Sequence, residues 1–302
     1  MQSGDYYDVI IIGGSYAGLS AGMSLGRSLR KVMIIDAGEP CNRQTPHSHN
    51  FITHDGDKPA AIAAAAREQV LKYPTVNYLQ GLVTAVQQQA DGFGVSTAAG
   101  ESYLASKIVF ATGLKDHMPA IPGFAECWGI SIIHCPFCHG YEVSHQRTGI
   151  MANGNMGYEF VKLIFNWTKD LTIFTNGTPD FTEQQLAKFH HHKINIVDKP
   201  IAAFNHGNGY INTIGFNDSS EYAVTAIYAR PAFTQGSKLI SELGCELTES
   251  GLVKTDVFQR TTVPGIYACG DNITMGRSVA QAVASGTQTG AFVNKDLIDL
   301  YF

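Results

Sequence analysis

The stretch His134-Cys135-Pro136-Phe137-Cys138-His139-Gly140 sets two cysteines two residues apart with a histidine on either side. A C-x-x-C spacing closes a small ring by disulfide formation and reopens it by thiolate attack, so in a reducing compartment it reads as a redox pair. Pro136 and Phe137 make the loop stiff and apolar. His139, directly after the second cysteine, and His134, directly before the first, can take or give a proton near neutral pH. Three plainer readings share this spacing. C-x-x-C-H also attaches c-type haem in exported chains, but the start Met1-Gln2-Ser3-Gly4-Asp5 has neither a basic stretch nor an apolar signal segment. Zinc on His134, Cys135, Cys138 and His139 would crowd four ligands into six residues, whereas structural zinc draws on two separated knuckles, so no metal ligands are expected. A structural disulfide or a pair of inert thiols is the third.

Such a pair needs elements to hold it and something to exchange electrons with. Asp8-Val9-Ile10-Ile11-Ile12 is an apolar, β-branched run ending at Gly13-Gly14-Ser15-Tyr16-Ala17-Gly18, and Leu19 to Leu29 has a helical pattern. Strand, glycine turn and helix in that order present backbone N–H groups to a pyrophosphate at the positive helix end. The fingerprint reads G-x-S-x-x-G, with Ser15 in place of the middle glycine. The next strand, Val32 to Ile35, ends at Asp36, where an acid is expected to hold the ribose hydroxyls of an adenosine.

Residues 40 to 58 are polar and rich in His, Pro and Asn, which predicts an ordered loop without a regular element. Pro59 to Lys72 is predicted as a helix with Pro at its first position. Alternating runs at Asn77 to Val86, Phe93 to Ser96 and Tyr103 to Val109 are predicted strands, the last leading into Ala111-Thr112-Gly113.

After the cysteines the strand-turn-helix pattern returns: Gly149-Ile150-Met151, Ala152-Asn153-Gly154-Asn155-Met156-Gly157, then a helix from Tyr158 towards Trp167. The following strand, Leu171 to Phe174, ends in Thr175-Asn176-Gly177. A nicotinamide dinucleotide site should show there an acid for a ribose or arginines for a 2′-phosphate, and neither is present. His190-His191-His192 reads as a solvated helix end. Towards the C-terminus a strand ends at Cys269-Gly270-Asp271-Asn272, where Asp271 can accept hydrogen bonds from a polyol chain. Ser278 to Phe292 is predicted as a helix whose small residues permit close approach.

The 302 residues suffice for two domains with their own cores. With 44% hydrophobic and 16% charged residues the composition is that of a soluble globular protein. The net charge of -5 comes with no basic stripe, so neither nucleic acid nor a membrane surface is an expected partner. No apolar run is long enough to span a membrane, and the expected location is the cytoplasm. Of the 6 cysteines, Cys41, Cys127, Cys245 and Cys269 are expected to be packing residues.

Taken in order, these motifs resemble the low-molecular-weight thioredoxin reductase family from end to end. The resemblance is carried by the G-x-S-x-x-G turn with Asp36, Ala111-Thr112-Gly113, the C-P-F-C loop before a second dinucleotide turn, and Gly270-Asp271 with Gln281-Ala282. Glutathione-reductase-like enzymes differ, carrying C-x-x-x-x-C after the first turn and an extra dimerisation domain. The resemblance implies an α/β fold of two Rossmann-like dinucleotide-binding domains of the three-layer ββα type, the second inserted into the first. The FAD-binding domain would comprise residues 1–115 and 228–302, and residues 116–227 would form the NAD(P)-binding-like domain carrying the redox pair. By matched position it implies FAD contacts at Gly13, Ser15, Ala17, Gly18, Asp36, Val83, Gly113, Gly270, Asp271, Gln281 and Ala282, with Asn42 and Arg43 from the loop. It also implies a homodimer, and unequal sulfurs: Cys138 faces the flavin and Cys135 meets the substrate.

Three positions depart from the family pattern. His139 stands where ordinary thioredoxin reductases have an aspartate, and Cys-Pro-Phe-Cys-His-Gly-Tyr-Glu is closer to the dithiol oxidases that close disulfides in gliotoxin- and holomycin-type metabolites. Thr175-Asn176-Gly177 replaces the basic segment that holds the NADP phosphate. Ala280 replaces an arginine before Gln281-Ala282. The expected activity is therefore a flavin-dependent thiol/disulfide exchange with a thioredoxin-like protein or a small dithiol or disulfide. NAD(P)H, ferredoxin and oxygen all stay open as electron partners, and a redox-sensing flavoprotein without turnover is the reading from another class.

Overall fold

The computed structural model describes residues 6–302. They divide into two compact units, the first made of residues up to Arg43, Phe51–Lys115 and Phe233–Phe302, the second of Gln44–Asn50 and Asp116–Ala232.

The first unit opens with β1 (Tyr6–Ile12), α1 (Tyr16–Arg27) and β2 (Val32–Asp36), then α2 (Pro59–Val70) and β3 (Val76–Gln80). Parallel neighbours need a crossover between them. Accordingly β1 pairs parallel with β2 (Val9↔Val32, Ile12↔Ile35) and β2 with β3 (Ile34↔Tyr78). An antiparallel meander of β4 (Val83–Gln89), β5 (Gly92–Thr97) and β6 (Ser102–Phe110) follows. The far half of β6 returns parallel to β1, with Ile12 opposite Phe110. Alternate β1 residues face opposite sides of the sheet. Val9 and Ile11 join a core with Leu25, Ile62, Val293 and Leu297, while Ile10 and Ile12 pack with Val86, Phe93, Val95 and Ile240. Helices cover one face and the meander the other, which gives the three layers.

Past β7 (Leu114–Asp116) the second unit contains α3 (Phe124–Cys127), β8 (Ile132–Ile133), α4 (Pro136–His139), β9 (Thr148–Met151), α5 (Gly154–Ile164), β10 (Leu171–Phe174), α6 (Glu183–His191) and β11 (Asn195–Val197). Next come β12 (Ile201–Gly207), β13 (Tyr210–Phe216), β14 (Glu221–Ala223) and β15 (Ala226–Ala229). Its sheet, in the order β11-β10-β9-β15-β8, is parallel throughout, and β12-β13-β14 forms a separate antiparallel sheet. Phe124, Phe174, Phe204 and Phe216 fill one core, and Ile150, Phe160, Ile164 and Ile173 another, so the layering repeats.

The first unit resumes with β16 (Phe233–Gln235), which pairs with β7, then α7 (Leu239–Glu242), β17 (Ile266–Ala268) and α8 (Val279–Tyr301). β17 takes the edge of β6 beyond its pairing with β5, with Ile266 opposite Ile108.

The boundaries differ from the sequence reading at definite places. A return to the first domain at residue 228 would cut β15, whose Ile227 and Tyr228 pair with Ile132 and Ile133 of β8; the structural crossing falls after Ala232. Segment Gln44–Asn50 belongs to the second unit, although its neighbours on both sides belong to the first. The run expected as one strand over Asn77 to Val86 is two, β3 and β4. α5 begins at Gly154 instead of Tyr158, because Asn153 accepts the Gly154 N–H and caps it. α8 continues past Phe292 because Val293 and Leu297 are buried against the helical face of the sheet.

α8 lies close against α1. A Cβ on Gly286 would fall 2.1 Å from the Ala17 carbonyl oxygen, so only glycine lets the two backbones meet. Gly286→Ala is therefore expected to destabilise the protein by about 1–3 kcal/mol, the usual cost of overpacking. Gly81→Ala, whose Cβ would meet nothing nearer than 3.8 Å, should lie within about 0.5 kcal/mol of wild type. Urea unfolding of the two variants side by side checks the contrast.

Candidate active site

In the first unit the glycine turn is tight enough to bring α1 directly onto the end of β1. A Cβ on Gly18 would lie 1.9 Å from the Gly13 carbonyl oxygen, and one on Gly13, at φ +103, would lie 2.3 Å from that of Ala111. Ser15 precedes α1 but its side chain makes no capping bond, which leaves the first N–H groups of a twelve-residue helix for a ligand. Asp36 ends β2 beside this turn: its Oδ1 accepts the Gly14 N–H at 2.9 Å, and its Oδ2 accepts the Tyr78 hydroxyl at 2.8 Å. Burial and then the hydrogen bond to Asp36 push the Tyr78 hydroxyl up to about 12, so it remains a donor. Tyr78 had no signal within its own strand; parallel pairing with β2 is what brings it to Asp36.

A second turn closes on the first. Gly270, just after β17, donates its N–H to Ser285 Oγ at 2.9 Å, and a Cβ there would meet that of Ala17 at 2.8 Å. Asn272, fully buried, accepts the Gly113 N–H at 2.8 Å and donates to Thr112 Oγ1 at 3.0 Å and Gln235 Oε1 at 2.9 Å. This latch ties the ends of β6, β16 and β17 together; neither Asn272 nor Gln235 was assigned a role from sequence. Asp271 pairs with Arg277, Nε to Oδ2 at 3.3 Å, so one of its acceptor oxygens already faces a cation. Arg277 lies three residues before Ala280, the position where the family arginine is missing.

The remaining expected contacts vary in how they meet this frame. Ala282 is buried and Gln281 exposed on the first turn of α8. Asn42 donates to the Tyr16 hydroxyl at 3.4 Å, whereas Arg43 bends back to the Pro40 carbonyl and is exposed. The Val83 side chain belongs to the sheet core, which leaves its backbone for any ligand. Among the four other cysteines, Cys127, Cys245 and Cys269 are buried as expected, but Cys41 is exposed, with its thiol 4.0 Å from Asp271 Oδ2. It lies in a surface turn with no core to receive it.

In the second unit Cys135 and Cys138 are disulfide-bonded, with Cα atoms 5.3 Å apart. Cys135 immediately precedes α4, with Pro136 at the first helical position, and its carbonyl accepts the N–H groups of Cys138 and His139. Both cysteines are half-buried; Phe137 between them is 62% exposed and Tyr141 just beyond is 84% exposed, so one side of the ring opens to solvent. Phe137 packs edge-on against Trp167, which also lies against Gly140. Burial, reinforced by His49, holds the His139 imidazole below its ordinary range, with Glu142 opposing. His139 is thus a neutral base near neutral pH. His134 stacks on Trp128 instead of joining it. Among the described residues no group of three or more His, Cys, Asp or Glu is placed to hold a metal ion.

The second dinucleotide turn differs from the first. Asn153 Oδ1 accepts the N–H groups of both Gly154 and Asp180, folding residues 178–180 over the start of α5. The Asp180 carboxylate oxygen lies 3.4 Å from where a Gly154 Cβ would be. Asn176 Oδ1 accepts the Ile201 N–H at 2.7 Å, and Thr175 Oγ1 donates to the Gly177 carbonyl at 2.5 Å. No lysine or arginine occurs between Asp170 and Lys188.

A glycine cradle, an uncapped helix end and a carboxylate at the next strand end suit the pyrophosphate and ribose of an adenine dinucleotide, and the redox turn suits thiol/disulfide exchange. Together with the two ββα units they define a dinucleotide-dependent disulfide oxidoreductase. The chain belongs to the pyridine nucleotide-disulphide oxidoreductase family, which matches residues 7–288. It is 32% identical over 311 residues to thioredoxin reductase tcpT of Claviceps purpurea, covering 99% of this chain and 96% of that one. It is 31% identical over 306 residues to thioredoxin reductase sirT of Leptosphaeria maculans, covering 95% and 93%. Among solved structures, TrxB of Bacillus anthracis is similar with a TM-score of 0.94 and 32% identity, covering 98% of this chain and all of that one. The protein is a thioredoxin reductase-like, FAD-dependent disulfide oxidoreductase acting on a dithiol or disulfide. Among the described residues no helix is long and apolar enough to cross a membrane.

Removing the Asp36 carboxylate should weaken flavin retention by about tenfold to a hundredfold, the worth of hydrogen bonds to a charged group. Flavin released on dialysis of Asp36→Ala, compared with wild type by absorbance, measures this; equal retention would remove Asp36 from the site.

Proposed function

We propose that Cys135 and Cys138 are the reacting pair and that the protein reduces a substrate disulfide through them. The observation that carries this reading is the half-buried disulfide in a Pro-stiffened turn beside exposed Phe137 and Tyr141, followed directly by a half-buried neutral histidine. FAD, held by Gly13, Ser15, Ala17, Gly18, Asp36, Gly113, Gly270, Asp271, Gln281 and Ala282, with Asn42, Arg43 and the Val83 backbone, supplies or accepts the electron pair. On the thiol side, the Cys135 thiolate attacks one substrate sulfur, and the substrate S–S bond breaks with its electron pair on the other. Cys138, deprotonated by His139, then attacks Cys135 Sγ. This restores the protein disulfide and frees the substrate sulfur that Cys135 had held, and His139 gives its proton to that sulfur. The substrate is a thioredoxin-like protein or a small disulfide that meets the exposed Phe137 and Tyr141. A cytoplasmic homodimer completes this reading.

A second reading runs the same exchange backwards: a small dithiol is oxidised, and dioxygen takes up the electron pair and two protons as hydrogen peroxide. The second dinucleotide turn favours it, because the Asp180 carboxylate and a stretch without lysine or arginine between Asp170 and Lys188 are unfavourable for a doubly charged 2′-phosphate. Ferredoxin is the other source of electrons compatible with that turn.

Cys135→Ser and Cys138→Ser are each expected to abolish multiple turnover with dithiols and disulfides, and His139→Gln to slow it by about 10²–10⁴-fold. A wild-type protein that reacts once and stops would instead be a sensor. In anaerobic stopped-flow mixing, micromolar NADPH should bleach the flavin slowly compared with an ordinary thioredoxin reductase; bleaching within a millisecond would contradict the reading of the Thr175–Asp180 loop. Hydrogen peroxide formed in step with dithiol loss would select the oxidase direction.

A further inference from the structure

Segment Gln44–Asn50 places a second imidazole against the redox turn within the second unit. Gln44 donates to the Trp128 carbonyl, and Thr45 Oγ1 lies 3.0 Å from where a Gly129 Cβ would be, which fixes one end of the segment. Near the other end the His49 ring meets that of His139 edge-on, with centroids 6.3 Å apart. His49 Nε2 also lies 3.5 Å from Glu142 Oε1. Two imidazoles this close disfavour a doubly cationic state, and Glu142 stands against the His49 ring as a counter-charge.

We propose that His49, held by Glu142, is a positioning residue that keeps His139 as the neutral base beside Cys138. The inference rests on the reading of Cys135 and Cys138 as the reacting pair. When His139 takes the Cys138 proton, a cation appears beside protonated His49. Their repulsion favours passing that proton on to the departing substrate sulfur, so His139 is reset for the next exchange.

The other groups around His139 leave this assignment intact. Cys135 and Cys138 do not titrate while bonded to each other. His47 is next to His49, with ring centroids 6.3 Å apart. Tyr228 of β15 interacts with Glu142, and burial first, then that carboxylate, keep its hydroxyl protonated far above neutral pH. Trp167, packed against the turn, carries no titrating group.

The test is an NMR pH titration of oxidised, flavin-loaded protein labelled with ¹³C in its histidine rings, with His139→Gln and His49→Gln used for assignment. His49 is expected to titrate at higher pH than His139. His49→Gln should raise the His139 midpoint by about 0.5 pH unit or more, the Coulomb interaction of two charges at this separation. Glu142→Gln should lower the His49 midpoint. In parallel, the pH profile for single-turnover reduction of dithionitrobenzoate by the dithiol form should move its acid limb upward in His49→Gln. A rate lowered equally at every pH, an unmoved His139 midpoint, or His139 titrating above His49 would overturn the proposal. If the midpoints move as expected but the cysteine variants still turn over, the assignment of the reacting pair fails and the coupling of the two histidines stands. Inert cysteine variants with an unmoved His139 midpoint would sink the coupling alone.

Discussion

Parallel pairing of β1, β2, β6 and β17 is the constraint on which the first unit depends. Strands that all run one way deliver their C-terminal ends to one edge, and that edge is where ligands bind in open α/β sheets. Gly13, Asp36, Thr112-Gly113 and Gly270 each lie at or immediately after such an end. Contact between them is then a matter of backbone clearance. Gly13 and Gly18 have no room for a side chain, and Asn272 satisfies three separate buried groups that would otherwise go unpaired.

The second unit uses the same layering for a different purpose. Its turn after β9 keeps Gly154 and Gly157 with Ala152 in place of the first glycine, and its own loop folds over it: Asn153 takes the N–H groups of Gly154 and Asp180, and the Asp180 carboxylate lies close to Gly154. On the reading proposed above, that carboxylate would disfavour a pyrophosphate at this turn. The short turn after β8 holds the disulfide, with Phe137 packed edge-on against Trp167 and both Phe137 and Tyr141 exposed.

On the proposed reading, that turn would combine covalent and protonic chemistry at small cost in structure. A four-residue helix fixes the two sulfurs and sets His139 beside the second. Partial burial holds the imidazole below its ordinary range, so it is uncharged near neutral pH, and when it accepts a proton it becomes a cation that would stabilise a neighbouring thiolate. An aspartate at this position would carry the opposite charge in its base form. On the proposed reading, His139 in place of an acid would change the electrostatics of the exchange as well as its proton carrier.

Most of the frame was legible in the chain because it rests on local pattern. The β-branched runs, the glycine turns with their following helices, Asp36 and the cysteine spacing each declare themselves over a few residues. What the tertiary structure alone decided lies between residues distant in sequence. Tyr78 meets Asp36 through strand register, Asn272 bridges to residues 160 and 37 positions away, and Arg277 takes up Asp271. His49 reaches His139 only because Gln44–Asn50 leaves the unit of its neighbours. Cys41 shows the same limit: a thiol looks like a packing group in a string of letters, and its exposure depends on whether any core is there to bury it. Periodicity reports which face of an element is apolar, but hydrogen-bond partners and the proximity of charges are fixed by chain crossings that no short stretch of sequence encodes.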